Sequence, residues 1–419
     1  VSSTHTTDVL VIGAGQGGGE AAVSLRRLGH TGAILVAGDE PLLPYRRPPL
    51  SKGLLTGEVD LDDLLDRRAE AYESAGIDTL LGASAVEIDT TDRVVTFADG
   101  GTATYETLIL ATGARARTLA SIGIAVPDDA PNLHYLRSVA DAERLRPQLR
   151  AGARLVVVGG GYVGLEVAAS SRGRGVAVTV IEGQDRLLAR VTAPVVSEFY
   201  RRVHHDEGVE ILLDTSVAGF TFAPDGHITE VLCDDGTVLP CDLVVAGIGG
   251  VANVELAAAA GLLVENGIVV DEHCRTSDPH VLAIGDCAAF PSVHAGTTIR
   301  LESVPNALEH ARVAAATVMQ AAAPTQSPPW FWSDQYDLKL QMVGLSAGHD
   351  QVAVRGDMSA RSFIAFYLRE GVVVAADAVN SSRDFGWCKK IVALQQEFSV
   401  DQLQDTDAAL KDIARGVSA

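Results

Sequence analysis

The sequence predicts an α/β fold with two Rossmann-like three-layer domains, one inserted in the other, followed by a smaller C-terminal α+β domain. Three observations predict it. A continuous apolar run passes through a glycine cluster into a helical stretch twice, at VLVIGAGQGG (residues 9–18) and VVVGGGYVGLE (156–166). Each copy is followed by a second apolar run, AILVA (33–37) and VAVTVIE (176–182), completing a βαβ pattern. Past the proline-rich AAAPTQSPPWFW (321–332), the composition shifts to short strand-like segments and a helical tail.

Taken in order, DVLVIGAG (8–15) reads as a strand, 17–28 as a helix and 33–37 as the next strand. A polar, proline-bearing segment at 40–60 separates them from ETLILATGA (106–114), a strand that ends at a Thr-Gly turn. From about 117 the pattern restarts: RLVVVGGG, a helix at 162–174, VAVTVIE, and a helical stretch around 194–207. DDGTVLP (234–240) carries the turn of a small antiparallel sheet. CDLVVAGIGG (241–250) echoes ETLILATGA, so the repeat extends beyond the glycine loops. HVLAIGDCA (280–288) has no place in the second repeat, which predicts that the middle domain is inserted in the first. KLQMVGL, SFIAFYLR and GVVVAADAV supply strands for the last domain.

The 419 residues suffice for two or three domains, each with its own core. A net charge of −21 argues against nucleic acid and against an anionic membrane surface as partners. No long apolar run and no basic-then-apolar start are present, so the expectation is a cytoplasmic protein. Cys233, Cys241, Cys274, Cys287 and Cys388 form no CxxC or zinc-type spacing and read as small buried residues; no metal is expected. His204 and His205 are neighbours that point apart on a helix.

The first loop matches GxGxxG at Gly13, Gly15 and Gly18, the second at Gly159, Gly161 and Gly164. Such glycines allow a tight turn and let the backbone approach a pyrophosphate at a helix N-terminus, so both domains are expected to bind dinucleotides. After the second loop, Glu182 ends its strand at the spacing of an acid that meets a ribose 2′-hydroxyl. That carboxylate would repel a 2′-phosphate and favours NADH over NADPH, although Arg186 lies close enough to accommodate phosphate. After the first loop the acid is displaced, and either Asp39 or Glu40 meets the ribose.

These pieces resemble the two-dinucleotide flavoproteins of the glutathione reductase superfamily, and within them the ferredoxin reductases of bacterial oxygenase systems. The resemblance spans the chain and rests on YRRPPLSK (45–52), LILATGA (108–114), HYLRSVADA (134–142), VVGGGYVGLE (157–166), AGIGGVAN (246–253), HVLAIGDCA (280–288), RLESVPNALEHA (300–311) and WFWSDQ (330–335). It implies an FAD-binding domain at 1–116 and 246–325, an NAD-binding domain at 117–245, and a C-terminal α+β domain at 326–419. It implies non-covalent FAD contacts at Gly13, Ala14, Gly15, Gly18, Asp39, Lys52, Ala85, Ala111, Thr112, Gly113, Arg137, Asp286 and Val304. NADH, the electron donor, is expected at Gly159, Gly161, Tyr162, Val163, Gly164, Glu166, Glu182 and Gly249.

The expected activity is hydride transfer from NADH to FAD, then single electrons to a [2Fe-2S] ferredoxin that feeds a cytochrome P450 or a Rieske oxygenase. Three catalytic residues are implied. Thiol-dependent relatives carry a redox cysteine near the flavin, where this chain has PPLSK and no cysteine; Lys52 there would stabilise negative charge on the flavin. Glu166, readable otherwise as an acid favouring its helix dipole, would pair with Lys52 beside the nicotinamide. Trp332 would sit at the flavin edge facing the acceptor, while Trp330 reads as core. Asp286 is read as a ligand of ribityl hydroxyls or a helix N-cap. Arg46, Arg47, Arg300, Arg312, Lys389 and Lys390 are candidates for docking an acidic ferredoxin. Rival readings are an NADH-dependent reductase of rubredoxin or a small molecule, and a redox-signalling flavoprotein like apoptosis-inducing factor. A monomer or a homodimer is expected.

Overall fold

The computed structural model describes residues 3–127 and 129–416. The chain divides into two compact units: residues up to 46, 62–115 and 251–329 in the first, and 47–61, 116–250 and 330 onward in the second.

In the first unit, strand Thr4–Ile12 is central and pairs in parallel with Ile34–Gly38 on one side and Thr102–Leu110 on the other. Val9, Leu10, Val11 and Ile12 are all buried, because a parallel strand covered on both faces is apolar at consecutive positions. Strand Val281–Ala283 joins this sheet in parallel beside Thr102–Leu110, where the return of HVLAIGDCA to the first repeat was expected. Helix Gln16–Arg27 buries Ala21, Ala22 and Leu25 in a core shared with Ala311, Ala314 and Ala315 of helix Val304–Val318. The hairpin of Ala85–Asp89 and Val94–Phe97, unforeseen in the sequence, extends the sheet from Thr102–Leu110.

In the second unit, strands Arg154–Val158, Ala177–Ile181, Val209–Leu212, Leu243–Ala246 and Leu133–His134 form a parallel sheet that repeats the first arrangement. The strand of CDLVVAGIGG lies beside Arg154–Val158 as Thr102–Leu110 lies beside Thr4–Ile12. Val217–Phe222, Ile228–Cys233 and Val238–Pro240 make the small antiparallel sheet anticipated from the Asp-Gly-Thr turn. A third sheet, entirely antiparallel, runs in the order Trp330–Gln335, Leu338–Gly344, Val372–Val379, Ser362–Arg369, Gln351–Asp357. Leu338, Leu340 and Tyr367 are buried on one face of this sheet, and Val343, Ile364 and Phe366 on the other. Helix Ser382–Leu394 covers it with Phe385, Cys388, Ile391 and Val392.

The proline-bearing segment is helical in two short turns, Pro48–Ser51 and Gly53–Thr56. All five cysteines are free and buried, and burial pushes their thiols above the ordinary range, Cys241 to about 11. Among the described residues no helix is long and apolar enough to cross a membrane.

Candidate active site

Both glycine loops are built the same way. Gly13 N donates to Ala37 O at 2.7 Å and Gly159 N to Ile181 O at 2.8 Å. Gly13 has φ +115° and Gly159 +106°, and a Cβ on either would strike a neighbouring strand's backbone, Ala111 O at 2.1 Å or Gly247 O at 2.5 Å. Gly18 and Gly164 lie in the first turn of their helices; a Cβ there would stand 2.0 Å from Gly13 O and 2.1 Å from Gly159 O. Both helices begin on a glycine, Gly15 and Gly161, with no side-chain cap. Helices Val139–Leu145 and Val304–Val318, by contrast, are capped by Ser138 and Ser303.

Around the first loop the fold gathers Ala14, Gly38, Ala111, Thr112, Gly113 and the Gly285–Cys287 turn that carries Asp286. Thr112 is locked to Asn253 by reciprocal hydrogen bonds of 2.7 and 2.8 Å. Asp39 is exposed and accepts from Glu40 N at 3.0 Å, whereas Glu40 accepts from Tyr45 OH at 2.7 Å. Asp286 O accepts from Arg300 at 3.0 Å, Val304 opens its helix, and Ala85 opens the hairpin. Lys52 and Arg137 belong to the other unit; Arg137 O accepts from Arg47 at 2.6 Å.

Around the second loop, Glu182 accepts from Gly160 N at 2.7 Å and from Gln184 N at 2.8 Å. The guanidinium of Arg186 is spent on its own loop, donating to Ala189 O, Thr192 O and Ser197 Oγ at 2.7–2.8 Å. Tyr162 donates to Met342 Sδ at 2.6 Å and packs on Phe331, while Val163 is exposed. Gly249, at φ +105°, accepts from Arg117 N at 2.9 Å.

Glu166 lies in the second turn of helix Tyr162–Gly173, beyond the reach of its dipole, and is 4% exposed. A carboxylate so buried needs compensation. Lys52 Nζ lies 2.9 Å from Glu166 Oε2, Ser51 Oγ donates to the same oxygen at 2.5 Å, and Ser333 Oγ donates to Oε1 at 2.6 Å. Pro48 and Pro49 start the tight turn that delivers Ser51 and Lys52, and Ser170 Oγ secures it by donating to Ser51 O at 2.7 Å. Sequence reasoning paired Lys52 with Glu166 and missed both serines, which lie far from Glu166 along the chain.

Trp332 is half-buried, 5.6 Å from Trp330 and 6.2 Å from Phe331 between ring centroids. Trp330 packs against the C-terminal core, with Lys389 Nζ 3.5 Å from its ring centre. Of the other candidate docking residues, Arg300 is paired with Glu302 and Arg312 with buried Glu20.

Two glycine loops of matching backbone geometry, each joining a strand of a parallel sheet to a helix, define a class, the two-dinucleotide oxidoreductases. Residues 7–315 match the pyridine nucleotide-disulphide oxidoreductase family and residues 330–414 the reductase C-terminal family. The chain belongs to the pyridine nucleotide-disulphide oxidoreductase family. It is 44% identical to putidaredoxin reductase CamA of Pseudomonas putida, with 98% of each chain covered. It is 43% identical to rhodocoxin reductase of Rhodococcus erythropolis, covering 96% of this chain and 93% of that one. Among solved structures, the covalent putidaredoxin reductase–putidaredoxin complex matches with a TM-score of 0.95 and 44% identity over 99% of both chains.

The chain is thus an FAD-dependent oxidoreductase that works with a pyridine nucleotide. Its residues fit those groups. A Cβ on Gly15 would meet nothing within 4 Å and one on Gly161 only Gly247 O at 4.0 Å, so both uncapped helix starts open onto free space. Backbone N–H groups directed into such a gap suit a pyrophosphate.

Proposed function

We propose that this chain is an NADH-dependent ferredoxin reductase that passes single electrons to a [2Fe-2S] ferredoxin serving an oxygenase. The observation that carries the reading is the Lys52–Glu166 pair beside the second glycine loop, in a segment where no cysteine stands. Without a nearby thiol there is no disulphide to relay electrons, and a positive charge is kept in its place. When bound, FAD supplies the exchange between a two-electron donor and one-electron acceptors.

The chain's own residues bind, orient and neutralise. We assign FAD to residues 1–116 and 246–325, where the Gly13–Gly18 loop would hold pyrophosphate, Asp39 the adenine ribose and Asp286 the ribityl chain. Residues 117–245, together with Gly249 just past them, take NADH: Gly159–Gly164 for pyrophosphate, with Tyr162, Val163 and Gly249 along the crevice and Glu182 for the ribose. The engagement of Arg186 with its own loop supports NADH over NADPH. Lys52, held by Glu166, would oppose negative charge on the flavin, and hydride transfer asks neither residue to move a proton. Residues 326–419 carry Trp332, assigned to the acceptor side, and Lys389 and Lys390, which suit an acidic partner.

The test is anaerobic mixing of the FAD-loaded protein with NADH, then with a panel of [2Fe-2S] ferredoxins. Bleaching of the flavin absorbance followed by rapid return with one ferredoxin is expected. A protein that binds no FAD, or whose reduced flavin gives electrons to none of them, overturns the proposal. Trp332→Ala should slow the second step more than the first; equal slowing removes Trp332 from the acceptor side.

A further inference from the structure

Ser333, which donates to Glu166 Oε1, is itself the end of a chain of hydrogen bonds. Gln335 Nε2 lies 3.1 Å from Ser333 Oγ, His204 Nε2 lies 2.8 Å from Gln335 Oε1, and Tyr336 OH lies 3.1 Å from His204 Nδ1. Ser333 and His204 are wholly buried, Gln335 is 1% exposed and Glu166 4%. Burial pushes His204 down to about 4, so its ring is neutral and carries one N–H.

The direction of every bond follows from the chemistry of the groups. A carboxylate only accepts, so Ser333 spends its single hydrogen on Glu166. Ser333 then accepts from its other neighbour, which turns the NH2 of Gln335 toward it and the carbonyl toward His204. An amide oxygen cannot donate, so His204 carries its hydrogen on Nε2, and Nδ1 accepts from Tyr336. Four donors in series thus point one way, from Tyr336 to Glu166, and bonds so aligned polarise one another. Neighbouring strand residues face opposite sides, so the strand that places Ser333 on Glu166 turns Trp332 away from it.

We propose that Ser333, Gln335 and His204 are positioning residues of the hydride site, a one-way donor chain that orients Glu166 and, through it, Lys52. The proposal rests on the reading of Lys52 and Glu166 given above. Packing alone would require shape at these positions; the chain requires a hydrogen on Ser333 aimed at Glu166.

Three variants separate the two. Ser333→Ala removes the last donor, Ser333→Thr keeps it, and Gln335→Glu preserves shape but draws the Ser333 hydrogen away from Glu166. Each FAD-loaded protein is mixed anaerobically with NADH to time flavin reduction, and titrated with NAD⁺. Each is also treated with acetic anhydride, and acetylation of Lys52 is compared with that of exposed Lys339 by peptide mass spectrometry. With Ser333→Ala, reduction should slow about tenfold, the worth of one charge-assisted hydrogen bond. Lys52 acetylation should rise severalfold, NAD⁺ affinity should hold, and Ser333→Thr should restore most of the rate. Gln335→Glu should behave like Ser333→Ala, and it decides alone if Ser333→Ala does not fold. Wild-type rate and labelling in Gln335→Glu, or a threonine variant as slow as the alanine one, overturns the inference. If NADH fails to reduce even the unaltered protein, the proposed function falls instead.

Discussion

The two glycine loops share a backbone and differ in where they place one methyl group. Ile12 pairs with Ala37 and Val158 with Ile181, so Gly38 occupies the position that Glu182 holds in the second unit. In the first loop the residue facing that position is Ala14, and a Cβ on Gly38 would come within 2.4 Å of the Ala14 Cβ. In the second loop it is Gly160, whose bare N–H the Glu182 carboxylate accepts at 2.7 Å. A side chain is allowed on the loop or on the strand end, not on both. This explains why the acid of the first repeat is displaced to Asp39 and Glu40, a departure visible in the sequence without its cause.

The largest effect should come from what the loops share. Gly18→Ala and Gly164→Ala each put a methyl about 2 Å from a backbone carbonyl and should cost roughly 3 kcal/mol or more. Gly18→Ala should lose FAD on gel filtration, whereas Gly164→Ala should keep FAD and lose NADH binding. Loss of both ligands in either variant breaks the claim that the loops serve different nucleotides.

The second loop also rests on a support of its own, and this is sensitive to pH. Leu188 N donates to Gly160 O at 3.0 Å, Thr192 N to Leu188 O at 3.2 Å, and Thr192 and Tyr367 both donate to Asp377 Oδ2. Burial pushes Asp377 up to about 6 from an ordinary 3.8, although the two hydroxyl donors and the nearby His349 pull the other way. Between those values the folded protein holds a proton that the unfolded chain releases, so stability from this group falls as pH rises from about 4 to 6. Above pH 6 the penalty is roughly 3 kcal/mol. Asp377→Asn, whose carbonyl can still accept from both hydroxyls, should raise the Tm at pH 8 and lose that advantage near pH 4. A difference independent of pH counts against a charged Asp377.

Smaller again is the steric exchange. Gly38→Ala should cost about 1–3 kcal/mol by overpacking, and adding Ala14→Gly should recover most of it. Additive losses in urea unfolding would show that the two positions do not compete. Least in free energy, Glu182→Gln should lower the preference for NADH over NADPH about tenfold in kcat/KM; an unchanged ratio removes the acid from discrimination.

The two βαβ units were legible because buried parallel strands write themselves as unbroken apolar runs, and only glycine suits the turns that follow. Lys52 and Glu166 were reached through motif resemblance, since nothing local marks residues so far apart as partners. The donor chain was not read at all, yet it left traces. Ser333 and Gln335 flank Asp334 in the polar end of the strand WFWSDQ, and His204 falls one turn after Tyr200 on the apolar face of its helix, with exposed His205 beside it. Asp377 is likewise an acid inside the otherwise apolar VVVAADAV. His204 and Asp377 are lone violations of periodicity, and only packing tells which neighbour answers each of them.

The burial of all five thiols has a practical consequence. The thiolate is the reactive form, and burial both shields these sulfurs and disfavours their ionisation. A cysteine introduced at an exposed position would therefore be the one group on the folded protein open to maleimide or gold. The enzyme can be wired to an electrode or given a single dye at a chosen point, with its native cysteines left in place.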